Sequence, residues 1–372
     1  MSNLISVSTE VVSTIFLLAL CLGSQLPIAD KSSDFNRKVR PITSSGESAL
    51  IVNAEKSLRK IFTARSFSLD NVSLPRTSEN FPAEKLKHVD FHSMAEFDWF
   101  PEGPSYRPAD DSYFFSGNQA LTRVDNEGRL HEVLGQPGGG GTHFLPDGSV
   151  LIVGHVGLRR MFPDGRVALL ADGKKIGAGN DLSVGIHGEV YFSVPKAGIF
   201  RLTAGDSGCL EQVTEQGCNG LEVDPVGKFV YVVRSNVQRY RIDIKSRSLG
   251  KPETVFEFPR GHGGGDGCTF DAWGNLYSIH FRTGTIRVID PEERKLIAEI
   301  PVGVVPATNL TFGGPNNSDL FVTAGAPKHN NCQVVITNLG VTGFCGHVGA
   351  TEYPVIRFLE QRGDTEAFAN DR

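Results

Sequence analysis

Five oxygen-bearing side chains, Glu102, Asn180, Asn219, Asp266 and Asn309, each stand ahead of a short apolar stretch and a turn. Asn180 lies eight residues before Gly188, Asn219 eight before Gly227 and Asp266 eight before Gly274. Looser copies surround these three. Glu102 precedes the turn Ala109-Asp110-Asp111, and Thr308-Asn309 precede Asn316-Asn317-Ser318. Gly140-Gly141-Thr142-His143 precede Pro146-Asp147-Gly148. Two carboxylates and three amides brought to one cavity suit a hard divalent cation, because such ions take oxygen ligands. Asn-Gly and Asp-Gly are also strong turn signals, so Asn219-Gly220 alone would carry little. Its repetition in one slot, each time followed by a strand and a further turn, favours ligation at Asp266 and Asn219.

The elements that would bring these residues together are hairpins. Turns near 110, 148, 188, 227, 274 and 317 are spaced by about 38, 40, 39, 47 and 43 residues, close to the roughly 40–50 of a β-propeller blade. Radial repetition leaves each four-stranded blade with short, protected edges. The expected fold is therefore all-β, a six-bladed β-propeller, with the hairpin-opening residues ringing a central metal-binding channel. Pro101 and Pro104 bracket Glu102 and fix the backbone around it. Asp125-Asn126-Glu127-Gly128 and Pro163-Asp164-Gly165 read as turns between outer strands; an Asp-x-x-Gly calcium loop would need further ligand positions that are absent. The glycine runs at 138–141 and 261–265 match no phosphate-binding loop, which opens a helix. They mean either close backbone approach at the channel or flexible loop. Cys332–Ile336 and Gly340–Phe344 are expected to supply outer strands that close the ring.

The 372-residue chain carries a formal net charge of −5, which gives no reason to expect nucleic acid as a partner. Its 42 glycines and 20 prolines suit a protein of tight turns. The apolar run Val11–Gly23 has the length of a signal-peptide core and is too short for a comfortable span. No Lys or Arg precedes it, and Glu10 abuts it. Export to a periplasmic or extracellular location is expected, with no membrane span in the mature chain. The expected boundaries are 1–29 for the signal peptide, 30–88 for a polar extension or linker and 89–360 for the propeller. Of six cysteines, Cys209 and Cys218, or Cys332 and Cys345, are near enough in sequence to pair in an oxidising compartment; buried free thiols are the alternative. The oligomeric state is not legible.

Glu102-Gly103-Pro104, Asn180-Asp181-Leu182, Asn219-Gly220-Leu221, Asp266-Gly267 with Asp271–Tyr277, and Phe312-Gly313-Gly314 occur in this order at blade spacing. In these motifs the sequence resembles the gluconolactonase, senescence-marker-protein and luciferin-regenerating-enzyme family of six-bladed propellers, over about residues 95 to 325. The resemblance implies Glu102, Asn219 and Asp266 as metal ligands, with Asn180 facing metal or substrate. It also implies Asp266 as general base or holder of the attacking water. Family members mostly hydrolyse sugar lactones, and some cleave phosphoester or phosphofluoridate bonds with calcium. Several sugar lactonases carry an arginine where this chain has Ala178.

The expected function is thus metal-dependent hydrolysis of a small sugar-derived lactone. Calcium is the first candidate ion, with Mg²⁺, Mn²⁺ and Zn²⁺ as alternatives. A bound divalent ion polarises a carbonyl and lowers the pKa of a coordinated water, and a carboxylate beside that water takes its proton. His155 and His280, six or seven residues past hairpin turns, are candidate proton shuttles or oxyanion donors, with a structural role as the alternative. Asn309 is a candidate substrate contact. Ser-His-Asp catalysis has no support, since no Gly-x-Ser-x-Gly elbow occurs. An esterase or phosphotriesterase on the same site, and a non-catalytic propeller keeping a cation for rigidity, are the rival readings.

Overall fold

A computed structural model describes residues 81–344, apart from 118–119, 136–138, 204–208, 244–245, 247 and 260–263. The apolar run at 11–23 and Cys345 lie outside the described residues.

The chain enters through a short helix, α1 (Ala83–Leu86), and strand β1 (His92–Phe97). Five complete blades follow. The first comprises β2 (Pro101–Arg107), β3 (Ser112–Gly117), β4 (Ala120–Val124) and β5 (Leu130–Gly135). The second comprises β6 (Thr142–Phe144), β7 (Val150–Gly154), β8 (Gly157–Met161) and β9 (Val167–Asp172), with a short helix α2 (Gly173–Ile176) after it. β10 (Leu182–Val184), β11 (Val190–Val194), β12 (Gly198–Leu202) and β13 (Leu210–Thr214) form the third. The fourth holds β14 (Leu221–Val223), β15 (Phe229–Val233), β16 (Asn236–Ile242) and β17 (Leu249–Glu257). The fifth holds β18 (Gly265–Phe270), β19 (Leu276–His280), β20 (Thr285–Asp290) and β21 (Lys295–Pro301). The last sheet is made of β22 (Ala307–Gly313), β23 (Asp319–Ala324) and β24 (Cys332–Asn338), completed by β1.

That last sheet corrects one expectation. Cys332–Asn338 does form a strand, but Gly340–Phe344 does not supply the outer one. β1 pairs antiparallel with β24, His92 opposite Ile336 and Phe97 opposite Cys332, so the free edge of β24 is already taken. The chain beyond Asn338 turns away at Gly340, whose φ is +64°, and touches the fifth blade through a bridge between Asp271 and Gly343. Closing the ring with the chain's own beginning hides an edge that would otherwise pair with another molecule. Phe81 and Leu86, in the segment read as extension, are buried in the core between the fifth and sixth blades.

The second strand of each blade explains the packing. Side chains alternate across a strand, and here each face meets a different neighbouring blade. Phe114 packs towards the second blade, whereas Tyr113 and Phe115 pack towards the sixth. Val230 and Val232 face the third blade, while Tyr231 and Val233 face the fifth. Both faces being buried, these strands read as continuous apolar runs rather than as alternation. Each adjacent pair of blades encloses an apolar cluster, and the six clusters close a circle.

The hairpin turns obey a backbone rule. Gly148, Gly188, Gly227 and Gly274 occupy the same turn position with φ between +71° and +82°. The first and last blades fill it with Asp111 (φ +51°) and Asn317 (φ +50°), residue types that tolerate the left-handed region.

Candidate functional site

The five hairpin-opening residues lie at or near the start of the innermost strands, and the backbone there is irregular in a repeated way. In β2 the register shifts between Glu102 and Ser105, in β18 between Gly265 and Cys268, and in β22 between Ala307 and Asn309. A bulge of this kind re-aims a side chain that regular pleating would send elsewhere. Glu102, Asp266 and Asn309 all lie at these bulges. Asp266 is inside a strand, and Asn219 lies two residues before β14; neither is in a hairpin turn. Asn180 is anchored by its backbone, its N–H donating to Ser193 O at 2.9 Å and its carbonyl accepting from Gly141 N–H at 2.6 Å.

The ring is tied blade to blade at this level. Thr142 Oγ1 donates to Gly103 O (2.7 Å), joining the first two blades, and Gly141 N–H joins the second to the third through Asn180. The carboxylate of Asp181 accepts from Leu182 N–H (3.0 Å) and from Leu221 N–H (3.1 Å), which joins the third to the fourth. Ser193 Oγ donates to the carbonyl of Asn219 at 2.7 Å across the same junction. Between the fourth and fifth blades, a Cβ on Gly220 would lie 2.2 Å from Asp266 O. Between the fifth and sixth, one on Gly267 would lie 2.0 Å from Asn309 Oδ1. Only glycine allows these approaches. Thr308 Oγ1 completes the circle by donating to Pro101 O at 2.9 Å. The glycines at 140 and 141 therefore serve close backbone approach.

Three carboxyls meet in this ring with no cation of the protein paired to them among the described residues. Burial, then the neighbouring Asp181 charge, pushes the Glu102 carboxyl up to about 8, against an opposing hydrogen bond from Gly103 N–H. Burial pushes Asp181 up to about 7 despite its two backbone donors. Asp266 is raised well above the usual carboxylate range by burial, then by the charges of Glu102 and Asp181. Its carboxylate accepts no hydrogen bond among the described residues. The Asn309 amide is in hydrogen-bonding reach of both Glu102 and Asp181. Among the described residues no three His, Cys, Asp or Glu side chains form a metal-holding group by themselves. Candidate oxygen donors for a cation are the Asp266 carboxylate and the Glu102 carboxylate, which already accepts from Gly103 N–H at 3.2 Å, together with the amides of Asn219 and Asn180. Such a mix of hard oxygen donors, with uncompensated negative charge, fits a divalent cation.

Two cavities share the ring. One, of about 470 Å³, is lined by Pro195, Asn219, Arg234, Ser235, Asp266 and Phe281 among others. A second, of about 520 Å³, is lined by Thr142, Asp181, Glu222, Thr269, Asn309 and further residues. Glu222 and Arg234 are not among the predicted site residues, and Asp181 enters the motifs only as the neighbour of Asn180. Glu222 had a signal: it is the polar centre of Leu221-Glu222-Val223, between two buried neighbours. Its carboxyl accepts from Ser183 Oγ, and burial pushes it up to about 8. Arg234 had none, because it lies in the turn between β15 and β16.

The two histidines lie elsewhere. His155 is exposed in the turn between β7 and β8 and lines neither cavity. His280 is fully buried at the end of β19, its ring stacked on Phe258 at 5.6 Å and its Nδ1 2.6 Å from Thr283 Oγ1. Cys209 and Cys218 are free thiols rather than a disulfide; Cys218 is buried and Cys209 exposed.

Residues 100–326 match the family model described as the SMP-30/Gluconolactonase/LRE-like region. Regucalcin of Danio rerio is 27% identical over 138 residues, which cover 34% of this chain and 47% of that protein. The chain spans about half the length of the curated relatives it matches. A gluconolactonase from Xanthomonas campestris superposes with a TM-score of 0.60 at 20% identity, covering 72% of this chain and 96% of that one. A calcium-binding protein, regucalcin, from Agrobacterium tumefaciens gives 0.61 at 21% identity, covering 68% and 95%. At these identities the likeness to solved structures is one of fold.

Proposed function

Because the chain belongs to the SMP-30/gluconolactonase/LRE-like family, we propose that it is a metal-dependent hydrolase that opens a sugar-derived lactone. The observation that carries this reading is Asp266: a buried carboxylate on a bulge that lines a cavity and feels the charge of Glu102, with no hydrogen-bond donor among the described residues. Glu102, Asn219 and Asp266, with Asn180 at their side, would hold the cation. Calcium is the proposed ion, supported by the all-oxygen donors and by a calcium-binding structural neighbour; Mg²⁺, Mn²⁺ and Zn²⁺ are alternatives. When bound, the cation polarises the lactone carbonyl and makes a water more acidic.

The chain's own residues do the rest. Asp266, ionised when the cation is bound, would take a proton from the attacking water. Asn309 holds the Glu102 and Asp181 carboxyls in place. Phe281 and Pro195 form an apolar wall beside the reacting ring. Asn180 and Asn219 orient the substrate through their amides. His280, locked by Thr283 and Phe258, supports the fifth-blade wall and does not shuttle protons in this scheme. Export of the chain is likewise part of the proposal; the apolar run that motivates it is outside the described residues. No helix among the described residues is long and apolar enough to cross a membrane.

The calcium-binding description of one neighbour favours a second reading, in which the cation is kept for rigidity and nothing is hydrolysed. A pH-stat assay on aldonolactones, simple esters and phosphotriesters, before and after EDTA and with each ion restored, separates the readings. Lactone opening that EDTA removes and one ion restores supports the proposal. Preference for esters or phosphotriesters would reassign the substrate. A melting temperature that responds to metal, with no turnover of any substrate, would establish the non-catalytic reading.

A further inference from the structure

We propose that Arg234 forms an anion subsite at the mouth of the channel, so that the substrate is a sugar derivative bearing a carboxylate. The lactone part of this rests on the hydrolase reading, but the subsite itself does not.

Arg234 is placed by backbone bonds on both sides. Asn219 N–H donates to Val233 O at 2.9 Å, and Gly265 N–H donates to Arg234 O at 2.6 Å. Its main chain is therefore strapped between the residue next to Asp266 and the residue that is Asn219 itself. The side chain lines the same 470 Å³ cavity as both. Nη1 donates to Gly217 O at 3.2 Å, which holds the guanidinium over the segment leading to Asn219 and leaves its other donors uncommitted.

Those donors have no carboxylate partner among the described residues. Arg201, Arg239 and Arg287, on the third strands of three successive blades, each pair with a glutamate of the outer strand or a nearby turn. Those are structural ion pairs. Arg234 is exposed, although Asp266 lines the same cavity. Among the described lining residues it is the only cation, and Asp266 is the only anion. A planar guanidinium with free parallel N–H groups recognises a carboxylate by two hydrogen bonds at once. A sugar acid gripped there would have its ring directed towards Asn219 and Asp266. A neutral sugar would leave the fork solvated and gain nothing from it.

The test compares methyl glucoside with methyl glucuronide, which differ by one carboxylate and contain no lactone to open. Calorimetric titration of the calcium-loaded full chain should show tighter binding of the glucuronide by about tenfold or more, as two charge-assisted bonds allow. Arg234→Ala should erase that preference, and Arg234→Lys should restore part of it. Equal affinity of the wild type for the two sugars, or a preference that survives Arg234→Ala in a folded variant, would overturn the proposal. Parallel rates on glucono- and glucarolactone distinguish the two failures. An Arg234-dependent preference in binding without any lactone opening keeps the subsite and rejects the hydrolase.

Discussion

A buried carboxyl whose proton affinity is raised stabilises the fold only while it keeps its proton. Glu102, raised to about 8, Asp181, raised to about 7, and Glu222, raised to about 8, all titrate near pH 4 when unfolded. The folded chain thus binds more protons than the unfolded one across that interval, and stability falls as pH rises through it. For metal-free protein the melting temperature should drop by on the order of 5 °C or more between pH 5 and pH 8. Calcium should recover more of it at pH 8 than at pH 5. A pH-independent melting curve in EDTA would contradict the electrostatics drawn for the ring. Asp266→Asn should leave the chain folded and lower lactone turnover by about 10³-fold or more, the scale of lost acid–base and charge effects. Turnover within tenfold of wild type would remove Asp266 from the chemistry. Asp181 acts differently, since both its oxygens already accept backbone N–H bonds. Asp181→Ala strands two buried donors and should cost about 2–3 kcal/mol in denaturant unfolding.

Hairpins and turns were the most legible elements. Their period, and Gly188, Gly227 and Gly274 eight residues past a polar side chain, follow from a backbone that needs positive φ at one point per blade. Gly227→Ala should destabilise by about 1–2 kcal/mol, the cost of a left-handed L-residue, and its Cβ would also press on Ile186 at 2.5 Å. An unchanged denaturation midpoint would show that the turn relaxes. The closing strand was not legible. His-Ser-Met-Ala-Glu-Phe at 92–97 is an outer strand with mixed exposure, has no turn before it, and pairs with a segment 240 residues later. Local pattern cannot report such a partner, whereas Gly340–Phe344 looked strand-like only because of its apolar residues. Asp181 was hidden for a related reason: which side chain of the Asn180-Asp181 pair points inward depends on register, and a one-residue slip reverses it.

At the scale of the molecule, six apolar clusters and six channel-level junctions make one closed circuit. Opening it anywhere should be felt everywhere. A chain lacking residues before 98 loses β1, exposes the edge of β24 and leaves Met94, Ala95 and Phe97 missing from the cluster between the sixth and first blades. It should aggregate or melt well below the full chain in light scattering and calorimetry; a monomer of unchanged stability would mean that the ring does not need its clasp. The closed scaffold is what lets Glu102, Asn219 and Asp266, far apart in the sequence, hold fixed positions about one axis. On the proposed reading these three hold a cation there. Calorimetric titration of EDTA-stripped protein with calcium at pH 8 tests it most directly. One ion per chain is expected, with affinity reduced by about 100-fold or more in both Glu102→Gln and Asp266→Asn, as befits loss of a charged oxygen ligand. Binding at full strength in both variants would contradict it.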